Sequence, residues 1–327
     1  MSPDKRSRYL RYLAILFACI FLISAGFFLV GLYEKNHEPD WNESETMSES
    51  LRYEGKEYEL RDGIETFLLL GLDTNEQTDL EGYTNKMRAD FITLLVVDNN
   101  TKTFDAIRIN RDTMADVYRL GVAGERIGKD TRQIAIAYSY GNGREVSCRN
   151  TADSVSQLLL GAKIDHYLSV TMDAVPIFND YVGGVEVEIK DDFTGVDDTL
   201  VKGQTVRLMG EHALNFVRSR SSMPEPTNLN RMGRQRQYLE ALYDQAKKRI
   251  AEDDDFAVNA VIKIADYLVT DSTADRLHTF VKKLSGYDLG EIYDIEGENV
   301  VGTDFMEFYP DEDSLTKLVI ECFYKEK

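Results

Sequence analysis

Cysteine, histidine and proline are scarce in this sequence of 327 residues, with three, four and six copies. No C-x-x-C pair and no H-E-x-x-H sequence occurs, which argues against a zinc centre with the usual ligand spacing. The G-x-S-x-G sequence of serine hydrolases and the P-loop sequence are also absent. Cys148 and Cys322 are the only cysteines outside an apolar N-terminal run, and whether they form a disulfide bond is left open.

Positive charge is in short supply as well, since the net charge of the chain is -19. The first 33 residues carry Lys5, Arg6, Arg8 and Arg11 against Asp4, so the rest of the chain has a net charge of -22. Nucleic-acid binding needs an excess of lysine and arginine to contact phosphates. We therefore expect no nucleic-acid partner.

One apolar run without charge, YLAILFACIFLISAGFFLVGL, covers residues 12–32. As a helix these residues would extend about 31 Å, close to the hydrocarbon thickness of a bilayer. A cleaved signal peptide is the alternative, but its apolar region usually covers only about 7–15 residues. Basic residues precede the run and acidic residues follow it, which predicts a cytoplasmic N-terminus. We predict a cytoplasmic tail over 1–9, a transmembrane anchor over 10–32 and a body outside the cell membrane.

The body divides by composition into three parts. Residues 33–62 are acidic and polar and predict a stalk with little structure. Residues 63–250 alternate strand and helix patterns, which predicts an α/β fold, a three-layer α-β-α sandwich around a mixed central sheet. Residues 251–327 predict a C-terminal extension packed on that core. The clearest elements are strands at 64–70, 91–97 and 103–109, and helices near 210–219, 230–250, 256–269 and 311–324.

The second and third of these strands predict a hairpin that brings charged residues together. Asp90 precedes one strand and Arg111 follows the other, so antiparallel pairing places both at the same sheet edge. Asp73 ends an earlier strand and can lie there too. Two carboxylates suit Mg²⁺, and an arginine suits phosphate oxygens. The alternative is that Asp73 and Asp90 are turn or cap residues with Arg111 as their ion-pair partner.

A basic segment points to the same chemistry. Residues 202–249 contain ten lysines and arginines against four acidic residues, which suggests an anion site. On a helix, Arg231, Arg234 and Gln235 share one face. Arg218 and Arg220 end the preceding helix. The alternative is a solvated basic face on a surface helix.

Several separated motifs together resemble the LytR-CpsA-Psr family, and they extend in the same order over about residues 64–250. The motifs are GLD at 71–73, R-x-D at 88–90, RDT at 111–113, AYSYGNG at 137–143, GAKIDHYLSV at 161–170, VGGVEVEI at 182–189, VRSR at 217–220 and R-x-x-R-Q at 231–235. Asn110 replaces the proline that usually precedes Arg-Asp, and Asn228 stands where an aspartate is frequent. The predicted anchor also agrees with the family.

The resemblance implies an extracytoplasmic phosphotransferase. Such enzymes transfer an anionic glycopolymer, for example teichoic acid or a capsular polysaccharide, from a polyprenyl-pyrophosphate carrier to a peptidoglycan hydroxyl. By this resemblance, Asp73 and Asp90 would arrange Mg²⁺ (or Mn²⁺) and take part in catalysis with Arg111, and an apolar channel would take the lipid. The residues implied in holding the pyrophosphate are Arg88, Arg111, Arg218, Arg220, Arg231 and Gln235.

Two other functions fit the same residues. A polyprenyl-pyrophosphate hydrolase would use water in place of the peptidoglycan hydroxyl. A non-enzymatic envelope regulator would bind the lipid without turnover. Analysis of the products separates the first alternative from transfer, and binding without turnover would identify the second.

Overall fold

The computed structural model describes residues 46–73, 84–219, 229–253, 255–303 and 305–327. These residues belong to one structural unit, Glu43–Lys327. The predicted anchor at 10–32, the first part of the predicted stalk and Arg220 lie outside the described residues. Within the described ranges, no helix has both the length and the apolar character needed to cross a bilayer.

Strands and helices alternate along most of the chain. The strands are β1 (Ser50–Tyr53), β2 (Lys56–Leu60), β3 (Ile64–Leu72), β4 (Ala89–Asp98), β5 (Thr103–Ile109), β6 (Met114–Leu120), β7 (Arg126–Gln133), β8 (His166–Thr171), β9 (Val185–Glu188), β10 (Thr205–Leu208), β11 (Leu268–Thr270), β12 (Asp288–Asp294), β13 (Gly297–Val301), β14 (Met306–Pro310) and β15 (Tyr324–Glu326). The α-helices are α1 (Glu145–Leu158), α2 (Ala174–Val182), α3 (Glu211–Arg218), α4 (Leu229–Glu252), α5 (Phe256–Ile264), α6 (Ala274–Ser285) and α7 (Glu312–Phe323). Short 3₁₀ helices cover Ile134–Ser139 and Ala265–Tyr267.

A six-stranded mixed sheet with the order β11-β8-β3-β4-β5-β12 forms the centre. Strand β3 is parallel to β8, and β5 is parallel to β12, while the other neighbours are antiparallel. The predicted hairpin is confirmed, with Ile92 opposite Ile109 and Asp98 opposite Thr103. The α/β fold with a mixed central sheet is therefore confirmed.

Both faces of the central sheet carry apolar side chains, which explains why helices pack on both of them. Alternate residues of β3 enter different cores, with Leu68 and Leu70 in one and Phe67 in the other. The first core includes side chains of α1 and α7, and the second includes Leu277 and Phe280 of α6. This two-residue period is expected where successive side chains of a strand point to opposite faces. A third apolar cluster joins α2, β9, β10, α3 and α4.

For residues 46–62, the structure corrects the prediction of a stalk with little structure. Strands β1 and β2 form an antiparallel hairpin, and β15 adds to the other side of β2. Leu51, Tyr53, Tyr58 and Leu60 pack on the first core. These apolar residues alternate with charged ones, and the acidic composition of the segment concealed that alternation.

Residues 251–327 do more than pack on the core, because β11 and β12 are the two edge strands of the central sheet. The helix predicted at 256–269 ends at Ile264 in the structure. The remaining residues of the predicted range form a 3₁₀ turn and the start of β11. Cys148 and Cys322 are buried free thiols in α1 and α7, so they form no disulfide bond. Burial raises the pKa of each thiol to about 12.

Candidate active site

A cavity of about 710 Å³ opens at one end of the central sheet. Its wall brings together charged residues from the ends of β3, β4, β5 and β7 and uncharged residues from the 3₁₀ segment after β7. The lining residues are Asp73, Thr84, Asn85, Lys86, Arg88, Asp90, Arg111, Arg132, Ile136, Ser139 and Tyr140. The structure therefore places Asp73, Arg88, Asp90 and Arg111 around one space, as the strand arrangement predicts.

A β-bulge sets the position of Asp90. Gly71 pairs with Phe91, whereas Leu72 pairs with Ala89, so Asp90 is the extra residue of β4. Bulges re-aim side chains and are frequent next to functional sites. A Cβ atom on Gly71 would lie 2.8 Å from the Cβ atom of Phe91, which explains the glycine of the GLD sequence. Asp90 therefore lies within β4, not before it as the sequence pattern predicts.

Asp90 is held between two buried arginines. Its Oδ1 atom accepts a hydrogen bond from Arg111, and its Oδ2 atom accepts one from Arg231 at 2.9 Å. Only 8% of Asp90, 7% of Arg111 and 5% of Arg231 is exposed. Burial of three charged groups is costly unless they compensate each other, so this cluster depends on all three. The arrangement includes the ion pair that the sequence left as an alternative reading, and it also faces the cavity.

The turn that carries Arg111 is held by residues that the sequence did not single out. Gln133 donates hydrogen bonds of 2.8 Å to the carboxylate of Asp112 and to the carbonyl oxygen of Met306. The same Asp112 oxygen lies 3.4 Å from Nε of Arg111. The amide of Phe308 donates to the backbone oxygen of Asp112 at 2.9 Å. Strand β14 thus supports the Arg111 turn from a distant part of the chain, which no local pattern reveals.

Asn110 has a local function in the same turn. Its side-chain oxygen accepts from the amide of Asp112 at 3.0 Å, and its carbonyl oxygen accepts from the amide of Thr113 at 2.9 Å. An asparagine that bonds the backbone two residues ahead forms an Asx turn. Asn110 therefore shapes the turn at the position where the resembled family usually has proline.

Asp73 has a carboxylate oxygen available for a ligand. Its Oδ1 atom is buried and accepts no hydrogen bond from the described residues. Arg218 of α3 donates to the backbone oxygen of Asp73 at 3.3 Å, which brings Arg218 to the same strand end. A hard cation such as Mg²⁺ binds such oxygens, so Asp73 fits a metal ligand. The described residues contain no cluster of three or more His, Cys, Asp or Glu side chains that would hold a metal alone.

The remaining predicted residues divide into exposed and buried groups. Arg88 is exposed on the cavity wall. Gln235 is buried and donates a long hydrogen bond of 3.4 Å to the carbonyl oxygen of Val217. Arg234 binds Asp191 and the carbonyl oxygens of Phe216 and Ser219, so it fastens α4 to the end of α3. Neither Gln235 nor Arg234 lines the 710 Å³ cavity.

The model of the LytR_cpsA_psr family matches residues 30–320, so the chain belongs to this family. The match extends beyond the motifs of residues 64–250 at both ends. It includes the β1–β2 hairpin and both edge strands of the central sheet.

Two relatives carry names that describe an activity. The chain is 26% identical over 242 residues to the polyisoprenyl-teichoic acid–peptidoglycan teichoic acid transferase TagU of Bacillus licheniformis, with 74% of this chain and 71% of that protein covered. It is 28% identical over 255 residues to the corresponding transferase TagV of Bacillus subtilis, with 71% of this chain but only 58% of that protein covered.

Solved structures share the fold. A structure of TagT bound to LI-WTA superimposes with a TM-score of 0.60 at 21% identity, covering 80% of this chain and 90% of that chain. The crystal structure of Bacillus subtilis TagV gives a TM-score of 0.60 at 24% identity, covering 80% and 98%.

Proposed function

We propose that this protein transfers an anionic glycopolymer, with its phosphate, from a polyprenyl-pyrophosphate carrier to a hydroxyl of peptidoglycan. The observation that carries this proposal is the cavity in which Asp73, Asp90 and Arg111 meet, with Arg88 on the same wall. Family membership and the names of the relatives TagU and TagV support the choice of polymer and acceptor.

The cavity residues fit a pyrophosphate and a hard cation. Arg88 and Arg111 on the wall and Arg218 beside Asp73 would bind phosphate oxygens. Asp73 would hold Mg²⁺, or Mn²⁺, through its buried Oδ1 atom. Asp90 would contribute the lone pairs that its two arginine partners leave free, since a carboxylate has about four acceptor sites. The metal would supply charge neutralisation at the phosphate oxygens.

The proposed reaction is a displacement at phosphorus. The acceptor hydroxyl attacks the phosphorus atom that carries the glycan, and a P–O bond to peptidoglycan forms as the P–O–P bond breaks. Polyprenyl phosphate leaves, and the hydroxyl proton passes to a base. Among the wall residues that the structure describes, Asp73 and Asp90 are the two carboxylates that could accept it. Arg111 stabilises the charge that develops on the phosphate oxygens, and Arg231 keeps Asp90 in place.

The proposed location completes the scheme. An anchor over residues 10–32, with the N-terminus in the cytoplasm, would hold the cavity close to the outer leaflet. The polyprenyl carrier would present its pyrophosphate there. An apolar channel for the lipid is part of the proposal.

Transfer can be tested with the full chain in lipid vesicles. The protein would be incubated with a lipid-pyrophosphate-linked glycan, peptidoglycan and Mg²⁺, and the glycan bound to peptidoglycan would be measured. We expect transfer by the parent and a loss of about a hundred-fold or more with Arg111→Ala, as for other groups that stabilise developing charge.

The products distinguish the competing functions. Free glycan phosphate without conjugate would identify a hydrolase. Tight lipid binding without turnover would identify a binding protein or regulator. Equal activity of Arg111→Ala and the parent would contradict the proposed site, and a chelator that leaves transfer unchanged would contradict the metal requirement.

A further inference from the structure

The 710 Å³ cavity is larger than a pyrophosphate requires. Its volume lies within the range of about 300–1,000 Å³ that is usual for pockets enclosing whole small-molecule ligands. The residues proposed to hold the pyrophosphate belong to the ends of β3, β4 and β5, or, for Arg218, contact the end of β3. Another wall, formed by the end of β7 and the 3₁₀ segment, contributes Arg132, Ile136, Ser139 and Tyr140. That wall has no part in the proposed chemistry.

This second wall is firmly attached to the first. The side-chain amide of Asn85 donates to the carbonyl oxygens of Tyr138 and Gly141 at 2.9 and 3.2 Å. Its oxygen accepts from the amide of Met87 at 2.8 Å. The hydroxyl of Ser139 donates to the carbonyl oxygen of Met87 at 2.7 Å. The segment that leads to Arg88 and Asp90 is thus bound to the wall that carries Arg132.

Arg132 is the cation of the second wall. Its backbone is fixed because Ala115 pairs with it across the β6–β7 hairpin and because the next residue, Gln133, is buried and doubly hydrogen-bonded. The Arg132 side chain is 45% exposed, and its guanidinium makes a long contact of 3.4 Å with Asp130. Asp130 has a shorter ion pair with Arg119, at 2.8 Å. A fixed backbone and one weak partner leave the Arg132 donors available to a ligand.

We propose that Arg132 binds an anionic group of the donor glycan outside its pyrophosphate, a phosphate or carboxylate on the sugars nearest the lipid. This inference rests on the proposed transfer function and adds a determinant of donor specificity. The planar guanidinium fork matches both phosphate and carboxylate oxygens. Arg132 belongs to the end of β7, whereas the residues proposed to hold the pyrophosphate lie at or contact the ends of β3, β4 and β5. We therefore assign to Arg132 a part of the donor other than the reacting pyrophosphate.

The test compares two donors and two variants of the full chain in vesicles. The donors have the same lipid and the same glycan length, and only one carries phosphate on its sugars. Arg119→Gln is the matched control for Arg132→Gln, since both arginines pair with Asp130 but only Arg132 lines the cavity. We expect Arg132→Gln to lower kcat/KM about ten-fold for the anionic donor, the loss of one charge-assisted contact. The neutral donor and the Arg119→Gln control should stay within about two-fold of the parent.

The outcomes separate this inference from the proposed function. A parent that transfers neither donor refutes the proposed function, and this inference with it. Transfer by the parent with equal losses for both donors in Arg132→Gln would overturn the inference alone, because Arg132 would then serve the pyrophosphate or the fold. No loss for either donor, or a rise only in the KM for peptidoglycan, would also overturn it. Retention of the preference for the anionic donor by Arg132→Lys would support a charge-based contact.

Discussion

Two buried aspartates of this protein are bound in opposite ways. The side chains of Asp90 and Asp197 are 8% and 6% exposed. Asp90 is bound by two guanidinium groups, Arg111 and Arg231, which are 21 and 141 residues away. The side-chain partners of Asp197 are a hydroxyl, an imidazole and a side-chain amide, all within 18 residues of it. They are Thr199 at 2.6 Å, His212 at 2.7 Å and Asn215 at 3.1 Å. The backbone amide of Thr199 also donates to Asp197 at 3.2 Å.

The difference distinguishes a residue of the candidate site from a structural one. Asp197 closes a loop onto α3, and its partners satisfy it completely. Asp90 connects β4, the turn after β5 and α4, and it also faces the 710 Å³ cavity. In the proposed function, the Asp90 carboxylate keeps its two arginine partners in place at a cavity that takes an anion. Equal burial therefore does not imply equal roles.

Replacement of Asp90 should have the largest effect. Asp90→Asn removes the negative charge that accepts a hydrogen bond from each of the two buried arginines, Arg111 and Arg231. We expect the free energy of unfolding to fall by about 3–5 kcal/mol and transfer to be lost. Urea unfolding measures the first quantity, and the vesicle assay measures the second. A change in stability below about 1 kcal/mol would show that the two arginines do not depend on this carboxylate.

Replacement of Gln133 tests how Arg111, one partner of Asp90, is positioned. Gln133→Met removes the donor shared by Asp112 and Met306. We expect a loss of stability of about 1–3 kcal/mol, because the Asp112 carboxylate and the Met306 carbonyl oxygen each lose a hydrogen bond. We also expect kcat to fall several-fold at an unchanged KM, because Arg111 acts on the charge that develops during the reaction. The control is Gln237→Met, which removes one exposed hydrogen bond to Glu188. An equal fall in kcat for the control would refute a positioning role.

Replacement of Asp197 should have the smallest effect and depend on pH. Burial raises the pKa of this carboxyl, but hydrogen bonds from Thr199, His212 and Asn215 outweigh it and lower the pKa to about 2. A lowered pKa stabilises the fold above the ordinary pKa of 3.8, and this contribution disappears as the pH falls towards 2. Asp197→Asn should therefore cost about 1–2 kcal/mol at pH 7 and progressively less below pH 4, with transfer unchanged.

Urea unfolding of the parent and Asp197→Asn at several pH values measures this dependence. A stability difference that stays constant down to pH 3 would contradict the assignment of the effect to the Asp197 carboxylate. A loss of transfer in this variant would contradict the purely structural role of Asp197 that distinguishes it from Asp90.

The sequence predicts what depends on local pattern and short connections. Alternation of apolar residues identifies β3, β4 and β5, and the short turn at 98–102 makes β4 and β5 antiparallel neighbours. That pairing predicts Asp90 and Arg111 at one edge, and the end of an earlier strand at Asp73 predicts that Asp73 lies there too. One cavity contains all three. The family resemblance is also confirmed. It could be predicted because its motifs are short and keep their order along the chain.

Longer-range features could not be predicted in this way. The bulge at Asp90 depends on the close approach of Gly71 and Phe91, and the Arg231 contact depends on how α4 crosses the sheet. Gln133 gives no signal, because its partners Asp112 and Met306 come from a turn and from a strand 173 residues later. Such contacts come from tertiary packing, which local propensity does not encode.

The two edge strands of the central sheet have a consequence for the order of assembly. Strand β12 pairs with β5, and β11 pairs with β8. Both pairings can form only after the last quarter of the chain has been synthesised. Until then β5 and β8 present unpaired backbone groups, which invite association with other chains. The Gln133–Met306 bond also forms only at that stage, so the turn of Arg111 is completed late. A ribosome that stops near residue 250 would thus release a product with two bare sheet edges and an unfinished site, prone to aggregate rather than to act.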